Sequence, residues 1–393
     1  MKYKLSDCVE IISGGTPKKA VSEYWDGNIP WITIKDFGSK YPKSTDNYIT
    51  QEGLNHSAAK LSKDKDILIS ARGTVGEVMM VHSGYTFNQS IYGLRIKEKV
   101  AIPEYIYYWL LANKQIFIKN VHGSVFDTIT RKIFDHIQIE LPCIANQAEI
   151  VSKLNSIDSK IALNELINDN LTNQLHTISD NYFSYFNFND GSIPQNWTYK
   201  NLTDIAEITS GYSYKGKELV DSDLGMATIK NFARTGGFQI NGYKSIIPSK
   251  NVKQSQYASL FDMLIAHTDL TQNADIIGNA EPVLTTSRFK KIIYSMDLVK
   301  VIPKQNKISK WLLDLILMST RVKAHCLGYV NGTTVLHLSK KALKEFEIPL
   351  PNDPEELSGI TRIARNYLLM MSENMQENEK LIELKDQLLN KYF

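Results

Sequence analysis

The sequence predicts an α+β protein in which two repeated mixed α/β domains are separated by two long helices that form an antiparallel coiled coil. Short strand-like runs bounded by Gly, Pro, Asn or Asp recur in the same order in both halves of the 393-residue chain. After each half, apolar residues alternate in steps of three and four, which is the spacing of a coiled-coil seam. We therefore expect four segments, at residues 1–145, 146–188, 189–352 and 353–393.

The composition indicates a folded protein with little net charge. Hydrophobic residues make up 43% of the chain, enough for more than one core. The chain has 45 basic and 42 acidic residues, so its formal net charge is only +3. Contact with nucleic acid would therefore need local basic patches or a basic partner. Cys8, Cys143 and Cys326 fit no metal-ligand spacing. Reduced thiols and the lack of a long apolar run lead us to expect a cytoplasmic protein.

The first segment mixes short strands with one helix. Apolar residues at helical spacing predict a helix over residues 104–119, with Pro103 at its start. Residues 123–129 are expected to lead from a loop into a strand. The strand-like runs are residues 31–34, 67–70, 76–81 and 137–142.

Residues 146–186 carry the first seam. It runs from Ile150 to Tyr185 and contains Asn164 and Asn168 at consecutive seam positions. At about 1.5 Å per residue this helix is roughly 60 Å long, which exceeds the needs of a domain core, so we interpret it as a spacer. Its last aromatic residues either pack under the following domain or form a docking face for partner subunits.

The second half of the chain repeats the landmarks of the first half. Four matches in the same order indicate an internal duplication rather than chance. Residues 5–14 return as 202–211, 33–37 as 228–232, 66–69 as 262–265 and 123–142 as 332–351.

Residues 354–392 carry the second seam, again with two consecutive asparagines, Asn374 and Asn378. Antiparallel pairing sets Asn164 opposite Asn378 and Asn168 opposite Asn374. Facing amides can bond each other, whereas an asparagine facing leucine costs about 1–3 kcal/mol, so these four residues are expected to fix the register. A parallel pair also matches the asparagines, which leaves the direction open. The antiparallel pair would place the two domains at opposite ends.

Several short motifs occur in a fixed order. They are residues 13–17, 34–36, 69–73 with Gly76, 88–89, 123–131 and 141–142, followed by Gln147, Ile150 and Val151. This ordered set, repeated and accompanied by two spacer helices, resembles the specificity subunit of type I restriction-modification systems over essentially the whole chain. The second copy departs from the pattern, because Gly-Thr-Pro becomes Gly-Tyr-Ser at residues 211–213 and Arg72 becomes Thr268.

The resemblance implies a function in DNA recognition. Each repeat would be a target recognition domain that reads one half of a split, asymmetric DNA sequence, and the helices would space these domains and bind partners. The implied partners are double-stranded DNA, two methyltransferase subunits and, through them, restriction motor-nuclease subunits, with no membrane. The methyl donor and ATP would belong to those subunits, so no cofactor is expected on this chain.

Loop residues that can pair with base edges or phosphates are the candidate site residues. Arg, Lys, Asn, Gln and Thr distinguish bases in the major groove by their donors and acceptors. The matched pairs Arg131–Lys132 and Lys340–Lys341 are interpreted as phosphate contacts. Any single lysine can equally be a solvated charge, and an Asn-Gln pair can cap a turn. The other candidates are Lys18, Lys19, Lys35, Arg72, Thr74, Asn88 and Gln89 in the first repeat, and Lys215, Lys217, Lys230, Arg234, His267 and Thr268 in the second.

The sequence predicts neither catalytic nor metal-binding residues. Residues 211–217 resemble a phosphate loop, but Glu218 stands where Ser or Thr would hold magnesium. The histidines, including His122 and His136, show no metal spacing. The sequence also contains no Asn-Pro-Pro-Tyr-like methylation motif, glycine-rich cofactor loop or acidic nuclease cluster. We therefore expect a non-catalytic protein.

Two other functions remain open from the sequence. A self-contained DNA-modifying enzyme would bind a methyl donor by itself. A coiled-coil interaction scaffold that pairs helices between chains would not bind DNA, and its mass would exceed that of a monomer.

Overall fold

The three-dimensional structure, a computed structural model, describes residues 1–97, 99–121 and 128–393. The loop expected at residues 123–127, like His122, lies outside these described residues. Across the described ranges, no helix is both long and apolar enough to cross a membrane.

The chain forms two compact units. Unit 1 comprises Met1–Lys160 and Leu381–Phe393, and unit 2 comprises Ile161–Lys380. Both long helices therefore contribute residues to both units. The division into four consecutive segments stays a prediction.

Unit 1 is built from short strands and helices joined by tight turns. Its strands are β1 (Lys2–Lys4), β2 (Val9–Ser13), β3 (Trp25–Ile32), β4 (Tyr48–Ile49), β5 (Asp66–Ser70), β6 (Val78–Val81), β7 (Thr86–Phe87), β8 (Ile91–Ile96) and β9 (Gln138–Glu140). Its helices are α1 (Leu5–Cys8), α2 (Gln51–Asn55), α3 (Pro103–Ala112), α4 (Lys114–Val121), α5 (Arg131–His136) and the first part of α6 (Ile144–Phe183).

A four-stranded antiparallel sheet with the order β2-β8-β5-β6 forms the centre of unit 1. Successive residues of β5 serve two cores, because side chains of a strand alternate between the two faces of a sheet. Ile67 and Ile69 join the core beneath α3, whereas Leu68 joins a second core with Ile32 and Phe87. Burial on both faces explains why this strand is continuously apolar in sequence.

Two elements of unit 1 end earlier than the sequence pattern indicates. The helix expected over residues 104–119 is interrupted at Asn113, whose backbone N–H and side-chain amide both donate to Trp109 O at 3.0 Å. The strand expected at residues 31–34 ends at Ile32, because Thr33 caps a 3₁₀ turn. The Thr33 backbone N–H donates to Asp36 Oδ2 at 2.6 Å. In both cases a local side-chain cap overrides the apolar periodicity.

Unit 2 has the same kind of construction. Its strands are β10 (Trp197–Asn201), β11 (Ala206–Ser210), β12 (Leu224–Ala227), β13 (Lys244–Ser245), β14 (Tyr257–Ala258), β15 (Met263–Ala266), β16 (Thr268–Asp269), β17 (Ala280–Pro282), β18 (Lys291–Tyr294), β19 (Leu298–Pro303), β20 (Val330–Asn331), β21 (Leu336–Leu338) and β22 (Glu347–Pro351). Its helices are α7 (Leu202–Ile205), α8 (Lys310–Leu317), α9 (Thr320–Leu327), most of α10 (Ser358–Tyr392) and the second part of α6.

The strand connections of unit 2 repeat those of unit 1. The central antiparallel sheet has the order β11-β19-β15-β17, which corresponds to β2-β8-β5-β6. The parallel pair β12 and β18 corresponds to β3 and β7. The antiparallel pair β10 and β22 corresponds to β1 and β9. The internal duplication found in the sequence is thus a duplication of topology.

The long helices α6 and α10 pair in antiparallel fashion within each unit. In unit 2, Asn164 and Asn168 bond Asn378 and Asn374, respectively, so residue numbers rise along one helix as they fall along the other. In unit 1, Asp158 meets Lys385 at 2.7 Å in the same direction. The α+β class with two repeats and an antiparallel helix pair is confirmed.

Aromatic residues at the end of α6 mostly pack into unit 2. Phe183 and Phe186 are buried, and both rings lie against Trp197 of β10. Tyr182 stacks on Phe188. This is the packing alternative that the sequence left open.

Candidate nucleic-acid interface

One edge of the central sheet of unit 1 gathers most of the polar residues singled out in the first repeat. Because the strands alternate in direction, β2 and β5 end at this edge and β8 and β6 begin there. The loops after β2 and β5 and the turn before β8 must therefore meet. We call these loops, residues 13–19, 71–76 and 88–90, the polar edge of unit 1.

Backbone contacts hold the polar edge together. Gly15 N–H donates to Phe87 O at 3.0 Å, and a Cβ atom at Gly14 would lie 2.0 Å from the carbonyl oxygen of Asn88. The approach requires glycine, since any side chain would collide with backbone. Ala71 N–H donates to Ser90 O at 2.8 Å, and Ile129 N–H donates to Ala71 O at 2.9 Å. The segment before α5 thereby joins the same edge.

Two neighbouring turns bring further cations to this edge. Arg131 Nη2, at the start of α5, donates to Ser13 Oγ at 2.8 Å. Lys35 lies in the 3₁₀ turn Ile34–Asp36, and a Cβ atom at Gly73 would be 3.7 Å from Ile34 Cδ1. Lys35 and the loop bearing Arg72 are therefore adjacent.

Nearly all first-repeat candidates point side chains into solvent at this edge. Asn88 differs, because it is half-buried and its Oδ1 accepts the Ser90 N–H at 2.9 Å. It caps the turn before β8, which was the alternative role. The exposed candidates are Lys18, Lys19, Lys35, Arg72, Thr74, Gln89, Arg131 and Lys132.

Unit 2 has an equivalent polar edge, formed by residues 211–217, 267–269 and 295–297. His267 N–H donates to Asp297 O at 2.8 Å, and Leu338 N–H donates to His267 O at 2.8 Å. These bonds reproduce those that Ala71 makes in unit 1. A Cβ atom at Gly211 would lie 2.1 Å from Ser295 O, as close as the matching contact at Gly14.

Side chains differ where the two backbones match. Arg72 pairs with Thr128 in an isolated bridge and is exposed, whereas its counterpart Thr268 is only 5% exposed and pairs with His337. Thr268 Oγ1 lies 3.2 Å from His337 Nδ1. His337, which is exposed, is therefore the side chain that this position presents to solvent. In the sequence, only the alignment of His337 with Thr128 of the first repeat could have indicated this role for His337.

His267 is held partly inside the same edge. Burial, together with the nearby His337 and Lys340, lowers the pKa of His267, so the neutral form is favoured. A neutral imidazole can accept as well as donate a hydrogen bond. Lys340 approaches this edge, as Arg131 does in unit 1.

The other second-repeat candidates are exposed around this edge. Lys230 lies in the 3₁₀ turn Ile229–Asn231, which Thr228 caps as Thr33 caps its counterpart. Arg234 Nε lies 3.8 Å from Asp275 Oδ2, a mostly exposed ion pair. The exposed candidates are Lys215, Lys217, Lys230, Arg234, Lys340 and Lys341.

The loop that resembles a phosphate loop is closed by its own carboxylate. Glu218 is buried and accepts hydrogen bonds from Ser249 and from Lys215 N–H, the latter at 2.9 Å. The Ser249 hydroxyl and these backbone donors lower the pKa of Glu218 to about 2. A fixed negative charge here disfavours phosphate. Within the described parts of the chain, His, Cys, Asp and Glu side chains form no cluster suited to a metal ion.

The structure brings the four seam asparagines together in unit 2. Asn164 Nδ2 donates to Asn378 Oδ1 at 2.9 Å and to Glu377 Oε2 at 2.7 Å. Asn374 Nδ2 donates to Asn168 Oδ1 at 2.8 Å. Asn164 is fully buried, so the bonds of its Nδ2 replace water that this atom loses on folding, whereas its Oδ1 has no hydrogen-bond partner among the described residues.

In unit 1 the seam contains a charged network instead. Asp158 accepts hydrogen bonds from Lys385 Nζ at 2.7 Å and from the Tyr108 hydroxyl at 2.6 Å. Lys40 Nζ lies 3.0 Å from the same hydroxyl and 3.7 Å from Asp158. Burial lowers the pKa of Lys40 despite the carboxylate. The network joins the loop bearing Lys40 to both helices.

These features define a class of protein that carries two copies of one sheet domain, each with a polar loop edge, attached to paired helices. The chain belongs to the type I restriction modification DNA specificity family, whose domain pattern matches residues 1–173 and 194–383. The family inferred from the sequence motifs is therefore confirmed.

Several proteins of this kind are similar to the chain. It is 23% identical over 411 residues to the specificity subunit of the type I restriction enzyme MjaVIII from Methanocaldococcus jannaschii, covering 97% of this chain and 86% of that relative. It is 25% identical over 273 residues to the MjaIX specificity subunit of the same organism, covering 65% and 63%. The match thus spans less than two thirds of the second relative.

A solved structure has the same fold. The S subunit of a type I restriction-modification system from M. genitalium superimposes with a TM-score of 0.54 at 15% identity, covering 100% of this chain and 96% of that one. At this identity the similarity concerns the fold alone.

Proposed function

We propose that this chain reads a two-part, asymmetric DNA target and directs partner methyltransferase and restriction subunits to it. The observation that carries the proposal is the pair of polar edges with equivalent backbones and different side chains. Equivalent backbones would approach DNA in the same way, and different side chains would select different bases. Each edge would therefore read one unequal half of the target.

The candidate residues divide into two roles under this proposal. Exposed side chains in the loop after β5 and in the turn before β8, such as Arg72 and Gln89, would contact base edges. The pairs Arg131–Lys132 and Lys340–Lys341 would contact phosphates, because they flank the edges at helix or turn starts. The seam asparagines would fix the register of α6 on α10.

The chain would contribute recognition and no catalysis. Two methyltransferase subunits would supply the methyl donor site, and motor-nuclease subunits bound through them would use ATP. The chain would act in the cytoplasm, where both partners and DNA are available.

Methyl transfer from a radiolabelled donor tests the proposal. We expect label in DNA only when the chain and a methyltransferase subunit are mixed, and in neither protein alone. Sequencing the modified bases should give two short motifs separated by a fixed gap. Methylation by this chain alone would refute the non-catalytic role. A single continuous motif, or modification without sequence preference, would refute two-part reading.

A further inference from the structure

A basic groove lies in unit 2 where the segment after β19 meets the first turns of α8 and α10. Its volume is about 550 Å³. Its walls include Lys307, Trp311, Glu355, Ser358, Arg362 and Arg365.

The groove carries an excess of positive charge that the described residues do not neutralise. Three cations, Lys307, Arg362 and Arg365, face one carboxylate, Glu355. Among the described residues, none of these three side chains makes a hydrogen bond or an ion pair, whereas the neighbouring Lys310 donates to Phe261 O. Arg362 and Arg365 are three residues apart on α10 and so share one face of the helix. Like charges left adjacent favour binding of an anionic group.

One wall of the groove is aromatic. Trp311 is half-buried, and its ring meets Phe261 edge-on at 5.3 Å between centroids. Its remaining surface faces the groove. A ligand that fits this wall therefore needs an apolar part beside its negative charges.

The position of the groove argues against DNA as its occupant. β19 begins at the polar edge with Leu298 and ends at Pro303, from which the chain leads to Lys307. At about 3.3 Å per residue, the six-residue strand places the groove roughly 20 Å from that edge, at the opposite end of the sheet. DNA held at the polar edge would leave the groove free.

At the equivalent place in unit 1, a glutamine side chain bridges the start of α6 and the start of α3. Gln147 of α6 is fully buried, accepts Ile102 N–H at 2.9 Å and donates to Pro142 O at 3.0 Å. In unit 2 the residue at the corresponding position, Glu356, is exposed and bonds Asn196 instead. Among the described residues, this side-chain bridge is made in unit 1 and not in unit 2.

We propose that this groove binds an acidic, extended segment of a partner protein subunit, with an apolar side chain of that segment against Trp311. Carboxylates of the segment pair with Arg362, Arg365 and Lys307. Arginine suits this role because its planar fork binds carboxylates through two hydrogen bonds. The inference rests on the proposed function only in taking a methyltransferase subunit as the source of the segment. Since the start of α6 in unit 1 is held by the Gln147 bridge and the start of α10 in unit 2 is not, the contact would distinguish one partner copy from the other.

Site-specific photo-crosslinking identifies the occupant. A benzophenone-bearing residue at position 358, which lines the groove and is exposed, is introduced into the full chain. The chain is assembled with purified methyltransferase subunit and duplex DNA, irradiated, and the adduct is mapped by mass spectrometry. We expect the adduct on an Asp- and Glu-rich segment of the methyltransferase subunit. Arg362→Glu with Arg365→Glu should lower its yield at least tenfold.

A matched charge reversal controls for net charge. Lys60→Glu with Lys63→Glu, two exposed lysines of unit 1, changes the net charge equally and should leave the adduct yield unchanged. An adduct on DNA, an adduct on a neutral or basic segment, or no adduct in an assembled complex would overturn the groove proposal alone. Light scattering reports assembly separately, and failure of the wild-type chain to assemble would overturn the proposed function as well.

Discussion

At the scale of single residues, the two repeats keep their backbone contacts while their exposed side chains diverge. Ala71 and His267 make the same two backbone hydrogen bonds, yet the next residue is an exposed arginine in unit 1 and a buried threonine in unit 2. The backbone frame can be preserved because those bonds do not involve side chains. Selectivity can therefore change without loss of fold.

Arg72→Ala should relax recognition in one half of the target. An arginine that bonds a guanine edge is worth about 1–3 kcal/mol of discrimination, so tolerance at one or two positions should rise roughly 5- to 150-fold. The measurement is methylation by the assembled complex on a pool of duplexes randomised in both halves. The other half should be read as before. Lys63→Ala, at the far end of β5, is the control and should change neither half.

A loss of methylation that is equal for all sequences would show instead that Arg72 contacts phosphate. Failure to fold is detected by comparing the thermal unfolding temperatures of the variant and the wild type. Because Arg72 is exposed, that temperature should change little.

Asp314 makes stability depend on pH. This residue of α8 is 1% exposed, and its Oδ2 atom has no hydrogen-bond partner among the described residues. Burial raises the pKa of Asp314 to about 7, while Lys310 lowers it and Asp262 raises it. The folded state therefore holds a proton that the unfolded chain, with a pKa of about 3.9, releases. Stability should fall as pH rises from about 4 to about 7.

Asp314→Asn should remove this penalty and stabilise unit 2 above pH 7 by about 1–4 kcal/mol. Part of the pH dependence should persist, because burial also raises the pKa of Glu281 to about 7. Unfolding temperatures between pH 5 and pH 8.5 measure the effect. The exposed Asp204→Asn is the control. A variant as pH-dependent as the wild type would contradict the assignment.

At the scale of elements, the apolar seams predict helix pairing well and its polar details only partly. The spacing of seam asparagines identifies their partners, because an amide satisfies another amide. The register that those asparagines set would place Lys385 opposite Ile157, but Lys385 instead bonds Asp158 and lies over the Tyr108 ring. That pairing depends on a residue of α3, which no periodicity along α10 can reveal.

Replacing the facing asparagines one at a time should show coupling. Asn168→Leu leaves the Asn374 amide without its 2.8 Å acceptor and should cost about 1–3 kcal/mol. Adding Asn374→Leu should restore much of that loss, since two leucines pack together. Thermal or urea unfolding of the single and double variants gives the interaction free energy. Additive effects would contradict pairing of these two residues.

The candidate interface was also predictable in part. The repeat in sequence locates the loops, and antiparallel strand order brings them to one edge. Burial of Thr268 was not predictable, because it depends on a contact with His337 that is made only after folding. For Asn88 the sequence offered both base contact and turn capping, and only the contact with Ser90 decides between them. The same holds for Glu218, whose carboxylate folds back onto its own loop.

At the scale of the whole molecule, the proposed function requires that a formal net charge of +3 be distributed so that both units can bind one duplex. The exposed cations of the candidate set lie at the two polar edges. A complex that uses both edges releases counterions at both, and the salt dependence of binding reports their number. Whether one duplex engages both units is therefore measurable from salt titrations.

Neutralising the matched basic pairs should lower the salt dependence by equal and additive amounts. Each phosphate contact contributes about 0.9 to the slope of log K against log salt, so Arg131→Ala with Lys132→Ala should lower it by about 1.8. Lys340→Ala with Lys341→Ala should do the same, and all four changes together should lower it by about 3.6. The titration uses the assembled complex and a duplex carrying its target, with Lys60→Ala and Lys63→Ala as the control. An unchanged slope for one pair would mean that this pair contacts no phosphate. Decreases that do not add would contradict binding of both edges to the same duplex.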